Sequence, residues 1–393
     1  MRGIFFFVST LLYYGCSQNE NRIENDHHSS SKSDVKYHLK ESGAVTFDLD
    51  EKSTFKSGSV NYALIDSIEY YSFLNSVDNS INIFKLTSQA IFKKTKFEVE
   101  GPNGVGRLDI VQHLLVSLDS LLIYNINMGT LFLVDLDGKV KDKFTVFDFK
   151  NDSGNAFPEP SNSAPLIKLG NKIFISCTLH ARLNDYKNYK NVLCYDISTR
   201  TASYVTPLPE IYSQAFWGAG FKYIPCLSSN GTEIVISYPI VSSIYKADLA
   251  GNIKSKSEVT SSFVDKMQPM KEDIRFGTQN DINQYNEEQK IYSFSNSDFS
   301  TIKYDPYNKL YFRKTYIRPP VDSVKMGNRI PDFSISVLTE DLDKLVEMRF
   351  DSEIYDLSMH FIGRDGYYIA RRDLYNINDE QIVFTRFNTA ISK

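Results

Sequence analysis

The sequence has little tryptophan, cysteine or histidine, and it carries no strong excess of either charge. Its 393 residues include one Trp, four Cys and six His, and 44 Lys and Arg stand against 48 Asp and Glu. The formal net charge of -4 and the absence of a basic tract exclude the electrostatic footprint of a nucleic-acid-binding protein, so we expect no nucleic-acid partner. The low cysteine count excludes a disulfide-rich scaffold.

The sequence also lacks an apolar run long enough to cross a bilayer as a helix. The run 4–14 is about half the ~20 residues that a spanning helix needs. A charged start, this short apolar core and a small residue before Cys16 are typical of a secretory signal. The Gly15-Cys16 pair resembles a bacterial lipoprotein signal, in which Cys16 becomes the lipidated first residue. An ordinary cleaved signal and an uncleaved anchor are the alternatives.

We therefore predict a signal peptide at residues 1–16, export to the cell envelope, and a lipid anchor at Cys16 as the sole attachment to a bacterial membrane. The outer membrane is the preferred location. Residues 17–36 are rich in Asn, Ser and charge without an apolar period, which predicts a flexible tether. Residues 37–393 are then predicted to form a single domain.

Three cysteines remain in that domain, and an odd count leaves at least one thiol unpaired in an exported protein. Cys177 and Cys194 fall on neighbouring predicted strands, so a disulfide between them stays open. Buried free thiols, with Cys226 as the third, are the preferred interpretation.

What the sequence has in abundance is Phe and Tyr, and a short strand pattern that recurs six times. The chain holds 27 Phe and 25 Tyr, residues that favour strands. Self-similarity at this spacing is typical of a propeller or a solenoid. A small polar residue opens each copy, an aliphatic residue follows, and the copies lie at 80–84, 130–134, 191–195, 243–247, 334–338 and 381–385.

The neighbours of each copy repeat as well. An apolar strand and a tight turn precede it, and a turn such as Asp137-Gly138 leads into a more polar strand. Four strands per unit and six units predict an all-β, six-bladed β-propeller of four-stranded antiparallel blades. The last blade lacks a fourth strand, and the alternating stretch 44–50 is expected to supply it and to close the ring without an open edge.

Connection lengths distinguish the two faces of the predicted ring. Turns between strands one and two and between three and four are short, whereas the remaining connections are long. Long connections are uncommon unless they are functional or disordered, so this face is the predicted binding surface. Tolerance of insertions is the alternative explanation. The long connections are 147–165, 180–190, 206–222, 260–290, 314–331 and 371–380.

Three stretches are similar to a family of Bacteroidetes lipoproteins known as domain-of-unknown-function family 4221. They are EGPNGVG at 100–106, ISYPI at 236–240 leading into SIYK at 243–246, and YDPY at 304–307 followed by YFR at 311–313. The similarity covers most of the mature chain. It implies a lipoprotein and a propeller, and it implies no catalytic residue, because the family has no established activity.

No motif indicates a cofactor, a metal or a catalytic nucleophile, and we predict none of these. The glycine-rich stretch 100–106 lacks the Gly-Lys-Ser/Thr ending of a phosphate loop. Asp135 and Asp137 begin a calcium-loop pattern, but Val146 stands where a bidentate Glu is needed. Two carboxylates brought together by the ring, as a glycosidase requires, stay open.

The candidate ligand-binding residues are cations and aromatic residues expected at the ends of second strands or in connections on the long-connection side. Such side chains suit ligands with carboxylates or sugars, although ion pairs between blades are an equal alternative for each Arg. They are Arg107, His180, Arg182, Trp217, Tyr238, Arg313 and Arg371.

We favour a non-enzymatic, membrane-tethered monomer that binds a small molecule, a glycan or an envelope protein through the long-connection side. The alternative is a hydrolase or lyase that acts on an extracellular polymer with acids assembled at the propeller centre. A structural component of an envelope complex is the third hypothesis. Converging carboxylates would favour the enzyme, and a flat apolar face would favour a protein partner.

Overall fold

The computed structural model describes residues 36–392, except 55–56, 153, 180–188 and 271–278. The first strand, β1 (Lys36–Asp48), belongs to the last blade. Blade one comprises β2 (Val60–Ile65), β3 (Ile68–Asn75), β4 (Ser80–Lys85) and β5 (Ile91–Lys96). Blade two comprises β6 (Val111–Ser117), β7 (Ser120–Asn125), β8 (Thr130–Val134) and β9 (Val140–Thr145).

The two-residue strand β10 (Phe157–Pro158) and the third blade follow. Blade three comprises β11 (Ile167–Leu169), β12 (Lys172–Thr178), β13 (Lys190–Asp196) and β14 (Thr201–Pro207), and β10 pairs with the end of β12. Blade four comprises β15 (Cys226–Ser229), β16 (Ile234–Ser237), β17 (Ser243–Ala247) and β18 (Ile253–Glu258).

Blade five comprises β19 (Asp298–Asp305), β20 (Leu310–Ile317), β21 (Asp332–Thr339) and β22 (Lys344–Phe350). Blade six comprises β23 (Tyr355–Gly363), β24 (Gly366–Arg371), β25 (Gln381–Ser392) and β1. The helices lie in connections: α1 (Ile211–Gln214), α2 (Gln279–Ser295), α3 (Val321–Lys325) and α4 (Arg372–Ile377). The predicted six-bladed propeller is confirmed, and the six repeated stretches fall on the third strands of the six blades.

Six hydrophobic clusters fill the six spaces between neighbouring blades and account for the closed ring. Because side chains alternate along a strand, each blade sends one set of apolar residues to each neighbour. In β3, for example, Tyr70 packs toward blade two, whereas Tyr71 packs toward blade six. The third strands are buried on both sides, whereas the fourth strands, such as β18, are largely exposed. This difference explains why the third strand carries the readable repeat.

The ring is closed by both ends of the described chain, as the stretch 44–50 predicted. Strand β1 pairs antiparallel with β25, from Lys36 opposite Ser392 to Asp48 opposite Gln381. The observed strand is longer than the predicted one and begins at Lys36, the last residue of the predicted tether. These twelve register pairs cover the outer edge of β25 and give blade six the four strands of the other blades.

The two faces of the ring differ as predicted. We call the face with the β2–β3 and β4–β5 turns and their equivalents the short-turn face, and the opposite one the long-connection face. Some predicted boundaries were wrong. The connection predicted from residue 314 begins at residue 318, because β20 continues to Ile317 and pairs with Asp332 of β21. The connection predicted to end at residue 290 continues to residue 297, because β19 begins at Asp298. The connection predicted at 260–290 contains most of α2.

The three described cysteines are buried free thiols. Cys177 packs between blades two and three, whereas Cys194 packs between blades three and four. The two side chains therefore lie on opposite sides of one sheet, which excludes the disulfide that the sequence left open.

Candidate functional site

Two of the predicted ligand-binding residues, Trp217 and Tyr238, lie in the hydrophobic core between blades three and four. Their side chains are 3% and 1% exposed. The Trp217 indole N–H donates to the carbonyl oxygen of Ile211 at 3.2 Å. The Tyr238 hydroxyl lies 3.4 Å from Asn191 Oδ1 and 3.3 Å from the carbonyl oxygen of Pro207. The fold brings these two residues into one cluster, but it places them inside the protein.

Arg313 is fully buried at the interface of blades four and five. It lies in the middle of β20, not at its end as predicted, because the strand continues to Ile317. Burial lowers the pKa of its guanidinium to about 9. The guanidinium stacks on Phe299 at 3.7 Å, and it makes four hydrogen bonds to protein atoms. The acceptors are Ser237 Oγ at 2.9 Å and the carbonyl oxygens of Ser242, Val259 and Val241 at 2.5, 3.0 and 2.8 Å.

The remaining predicted residues lie apart from this cluster. Arg107 is 73% exposed and pairs with Asp109 at 2.8 Å. Arg371, at the end of β24, makes two hydrogen bonds to Asp373, and this bonding raises the pKa of its guanidinium. His180 and Arg182 lie outside the described residues. The ligand-binding role of all seven residues stays a prediction, and none of the five described ones lines the pocket defined next.

The centre of the long-connection face holds a pocket of about 370 Å³, which we call the aromatic pocket. Its wall comes from the first strands of blades four and five, the end of β20, α2 and the connections that precede blades three and four. The lining is mostly apolar, with one ion pair. It comprises Ser161, Ser163, Ala164, Phe221, Ile224, Cys226, Pro239, Phe294, Asp298, Phe299, Ser300, Tyr316 and Arg318.

The connection between blades two and three forms one side of this pocket and reaches across the ring. The Asn162 side chain accepts a hydrogen bond from the backbone N–H of Val60 at 2.9 Å and donates to the carbonyl oxygen of Ser57 at 2.9 Å. The hydroxyls of Ser163 and Tyr316 lie 3.5 Å apart. One connection therefore joins blade one to blade five near the axis and covers the centre on this face.

A buried cluster of three charges lies beside the pocket. Arg318 makes two hydrogen bonds to Asp298, at 2.7 and 3.3 Å, and the Lys222 ammonium lies 3.3 Å from the same carboxylate. Burial lowers the pKa of Lys222 to about 8, against the opposing effect of Asp298. Phe221 and Phe294 flank the Arg318 guanidinium at 5.4 and 5.7 Å. With two cations around one carboxylate, this cluster carries a net positive charge at neutral pH.

A larger cavity, of about 770 Å³, lies between blades five and six on the short-turn face. Its lining mixes both charges, with Asp305, Lys309 and Arg364 among the contributors. Tyr37 also lines it, next to the residue where β1 begins. We place the candidate site in the smaller pocket, because aromatic walls and a few convergent polar groups are typical of ligand sites.

The residues that line the aromatic pocket were not among the site residues predicted from the sequence. Tyr316 and Arg318 fall within the predicted connection 314–331, so the long-connection argument selected the correct segment without selecting these side chains. Phe221 and Phe294 come from two other long connections. A rule that selected aromatic residues near the ends of the predicted connections would have found Phe221 and Tyr316. It would have missed Phe294, which lies beyond the predicted end of 260–290 because α2 continues to Ser295.

The described residues supply little for catalysis in this pocket. Asp298 is the one carboxylate among the described lining residues, and both of its oxygens are hydrogen-bonded to Arg318. Within the described ranges no group of three His, Cys, Asp or Glu side chains could hold a metal ion. In the same ranges no helix has the length and hydropathy needed to cross a bilayer.

Comparisons with known proteins agree with the resemblance read from the sequence. Residues 36–349 match the profile of DUF4221, a domain of unknown function. The fold is similar to a crystal structure of a DUF4221 family member from Bacteroides vulgatus, with a TM-score of 0.75 and 21% identity over 91% of this chain and 99% of that one. No curated protein matches the sequence.

A second solved structure, a candidate exported protein from Bacteroides fragilis, matches with a TM-score of 0.52 and 11% identity. The match covers 90% of this chain and 96% of that one. At these identities both structures establish the shared fold.

Proposed function

The chain belongs to the DUF4221 family of domains of unknown function, and we propose that it is an exported, lipid-anchored monomer that binds a small molecule or a glycan at the centre of its long-connection face. The aromatic pocket is the observation that carries this proposal. Concave sites with aromatic walls and few polar groups are the usual form of a small-molecule site, and aromatic faces also suit sugars.

The position of the first described residue supports the proposed tethering. Lys36 pairs with Ser392 at the end of β25, which lies on the short-turn face. A tether that ends at Lys36 therefore leaves the ring on the side opposite the aromatic pocket. An anchor at Cys16 would hold the short-turn face toward the membrane and leave the pocket open to ligands. The Bacteroides fragilis relative is described as a candidate exported protein, which agrees with export.

A binding screen tests the proposed site. The mature chain from residue 17 onward is screened against small-molecule and glycan arrays, with thermal shift and calorimetry as readouts. We expect Phe294→Ala to weaken the binding of a hit by about tenfold or more, because aromatic contacts contribute most in such pockets. Phe149→Ala removes an exposed ring elsewhere and should leave affinity unchanged.

Two outcomes would overturn the proposed site. One is a complete absence of hits. The other is a set of hits whose affinity changes in neither Phe294→Ala nor Phe221→Ala. The anchor has its own test, because Cys16→Ala should release the protein from the membrane fraction, and unchanged fractionation would exclude lipidation at Cys16.

A specific observation favours an envelope-protein partner as a second candidate. Large apolar side chains are exposed on two connections of the same face, with Met326 at 82% and Ile377 at 83%. Exposed apolar surface of this kind can mark a protein contact. The variants Met326→Asp and Ile377→Asp should weaken capture of a cross-linked envelope protein and leave small-molecule binding unchanged. Unaltered cross-linking in both variants would exclude this candidate.

A further inference from the structure

Three basic side chains lie near one another at the interface of blades five and six. They are Lys303 of β19, Lys314 of β20 and His360 of β23. The Lys314 ammonium lies 3.5 Å from His360 Nε2. Lys303 lies close enough for its charge to help lower the pKa of His360, and the charge of Lys314 in turn lowers the pKa of Lys303. We call these three residues the cationic cluster.

His360 is held in one orientation and stays neutral. Its Nδ1 lies 2.7 Å from the hydroxyl of Tyr367. Burial, Lys314 and Lys303 together hold the pKa of the His360 imidazole well below its ordinary value. Since an ammonium can only donate, its approach to Nε2 assigns the imidazole proton to Nδ1. The histidine thus contributes no charge and fixes the position of Lys314.

Lys303 differs from the other buried cations. It has no hydrogen-bond or ion-pair partner among the residues that the structure describes. Its surface is nevertheless partly accessible to water, although it lies deep in the ring. Burial, followed by the charge of Lys314, lowers the pKa of its ammonium to about 8. A buried ammonium without a counter-charge is costly, and an anion beside it would remove that cost.

The cationic cluster adjoins the aromatic pocket. Lys314 lies over the ring of Tyr316 at 5.0 Å, and Tyr316 lines the pocket. The charge of Lys314 also acts on the thiol of Cys226, another lining residue, and opposes the rise in its pKa that burial causes. Lys314 therefore lies directly behind a lining residue of the pocket and is not itself part of the lining. The charges at its other end, Asp298 with Lys222 and Arg318, add no net negative charge that would repel an anion.

We propose that the cationic cluster is the anion-binding end of the aromatic pocket, and that the ligand is an apolar acid. Its aromatic or aliphatic body lies among Phe221, Phe294 and Phe299, and its carboxylate lies between the ammonium groups of Lys303 and Lys314. A singly charged carboxylate fits better than a phosphate dianion, because it is less costly to move into an apolar pocket. This inference rests on the proposed function and specifies its ligand class.

Matched acids and amides test the inference on the unaltered mature chain. The pairs are phenylacetate and phenylacetamide, hexanoate and hexanamide, and 1-naphthoate and 1-naphthamide, measured by calorimetry at pH 7. Each amide keeps the shape of its acid and lacks the charge. For at least one pair we expect the acid to bind about tenfold or more tightly than the amide, as hydrogen bonds between charged groups predict.

Variants then assign the preference to the cluster. Lys303→Gln should abolish the preference for the acid over the amide. Lys303→Met is the replacement variant if Lys303→Gln folds poorly, and it should have the same effect. Lys325→Gln is the matched control, because it removes the same charge from an exposed position in α3 on the same face. In that control the preference for the acid should be unchanged.

The failures are distinguishable. Equal binding of acids and amides, or a preference that survives in both Lys303 variants, overturns the inference and leaves the proposed binding function in place. The same holds if no acid binds while a neutral array ligand does. If no acid, amide or array ligand binds, the inference and the proposed function both fail.

Discussion

The two sides of β20 present buried cations in opposite circumstances. On the side toward blade four, Arg313 is fully buried, stacks on Phe299 and donates to four protein oxygens. On the side toward blade six, Lys314 contacts a histidine, and nearby Lys303 has no described partner. The two regions are separated by the thickness of one sheet.

The difference separates a structural cation from a candidate ligand-binding one. A buried charge that already donates to several protein oxygens is compensated by the protein itself, and its removal leaves those acceptors unsatisfied. A buried charge without such bonds costs free energy in the absence of a ligand. The fold retains that cost at Lys303, and a bound anion would offset it.

The largest effect is expected at Arg313. Arg313→Met leaves the carbonyl oxygens of Val241, Ser242 and Val259 without their donor. We expect a loss of about 3–5 kcal/mol in the free energy of unfolding, measured by urea denaturation. Arg349→Met, which removes a side chain that is 54% exposed, should cost less than about 1 kcal/mol. An unchanged urea midpoint for Arg313→Met would contradict the structural role.

Removal of the Lys303 charge should stabilise the ligand-free protein, in contrast to removal of the Arg313 charge. Lys303→Met replaces the ammonium with an apolar end of similar length, so we expect the ligand-free protein to gain about 1–2 kcal/mol in unfolding free energy. Lys309→Met, at an exposed turn position of the same blade, should change little. A destabilised Lys303→Met would indicate that the ammonium has a partner in the protein.

The stability difference between wild type and Lys303→Met should depend on pH. The folded-state pKa of Lys303 is about 8, below the ordinary value of about 10.4 for lysine. Between these two pH values the unfolded chain binds more protons than the folded one. The free energy of unfolding of the wild type therefore increases with pH, whereas Lys303→Met lacks this contribution. In urea denaturation at pH 7, 8.5 and 10, the excess stability of Lys303→Met over the wild type should become smaller at each higher pH. A constant gap would mean that the pKa of Lys303 is not lowered.

The smallest effect is expected at Arg107, an exposed cation in neither region. Its pair with Asp109 is open to solvent, so Arg107→Ala should change the unfolding free energy by less than about 0.5 kcal/mol. Ligand affinity in the array hits should also stay constant. A clear loss of affinity would extend the site beyond the aromatic pocket and support the original prediction for Arg107.

The architecture could be read from the sequence because it is repeated and local. The third strands, such as 191–195 and 243–247, combine a turn, an aliphatic pattern and a fixed spacing, and the structure places them in corresponding positions. The closing strand was identified by the absence of a fourth strand in the last blade. Connection lengths then distinguished the two faces without any knowledge of side-chain contacts.

The site was harder to read, and Arg313 shows why. Its assignment to the strand end depended on where β20 stops, and β20 continues because residues 314–317 pair with 332–335 of β21. Whether a cation is satisfied depends on partners far away in the chain. Val259 is 54 residues from Arg313, and His360 is 46 residues from Lys314. No local pattern encodes such pairings.

The sequence by itself determined that this chain forms six similar sheets, which strand ends the ring, and which face carries the long connections. These features follow from side-chain alternation and turn chemistry over a few residues. Only the tertiary structure decided which buried cations are compensated and where aromatic rings converge. Closure of the ring brings together side chains that are far apart in the sequence. Whether a buried cation finds a partner depends on distances that exist only after the ring has closed.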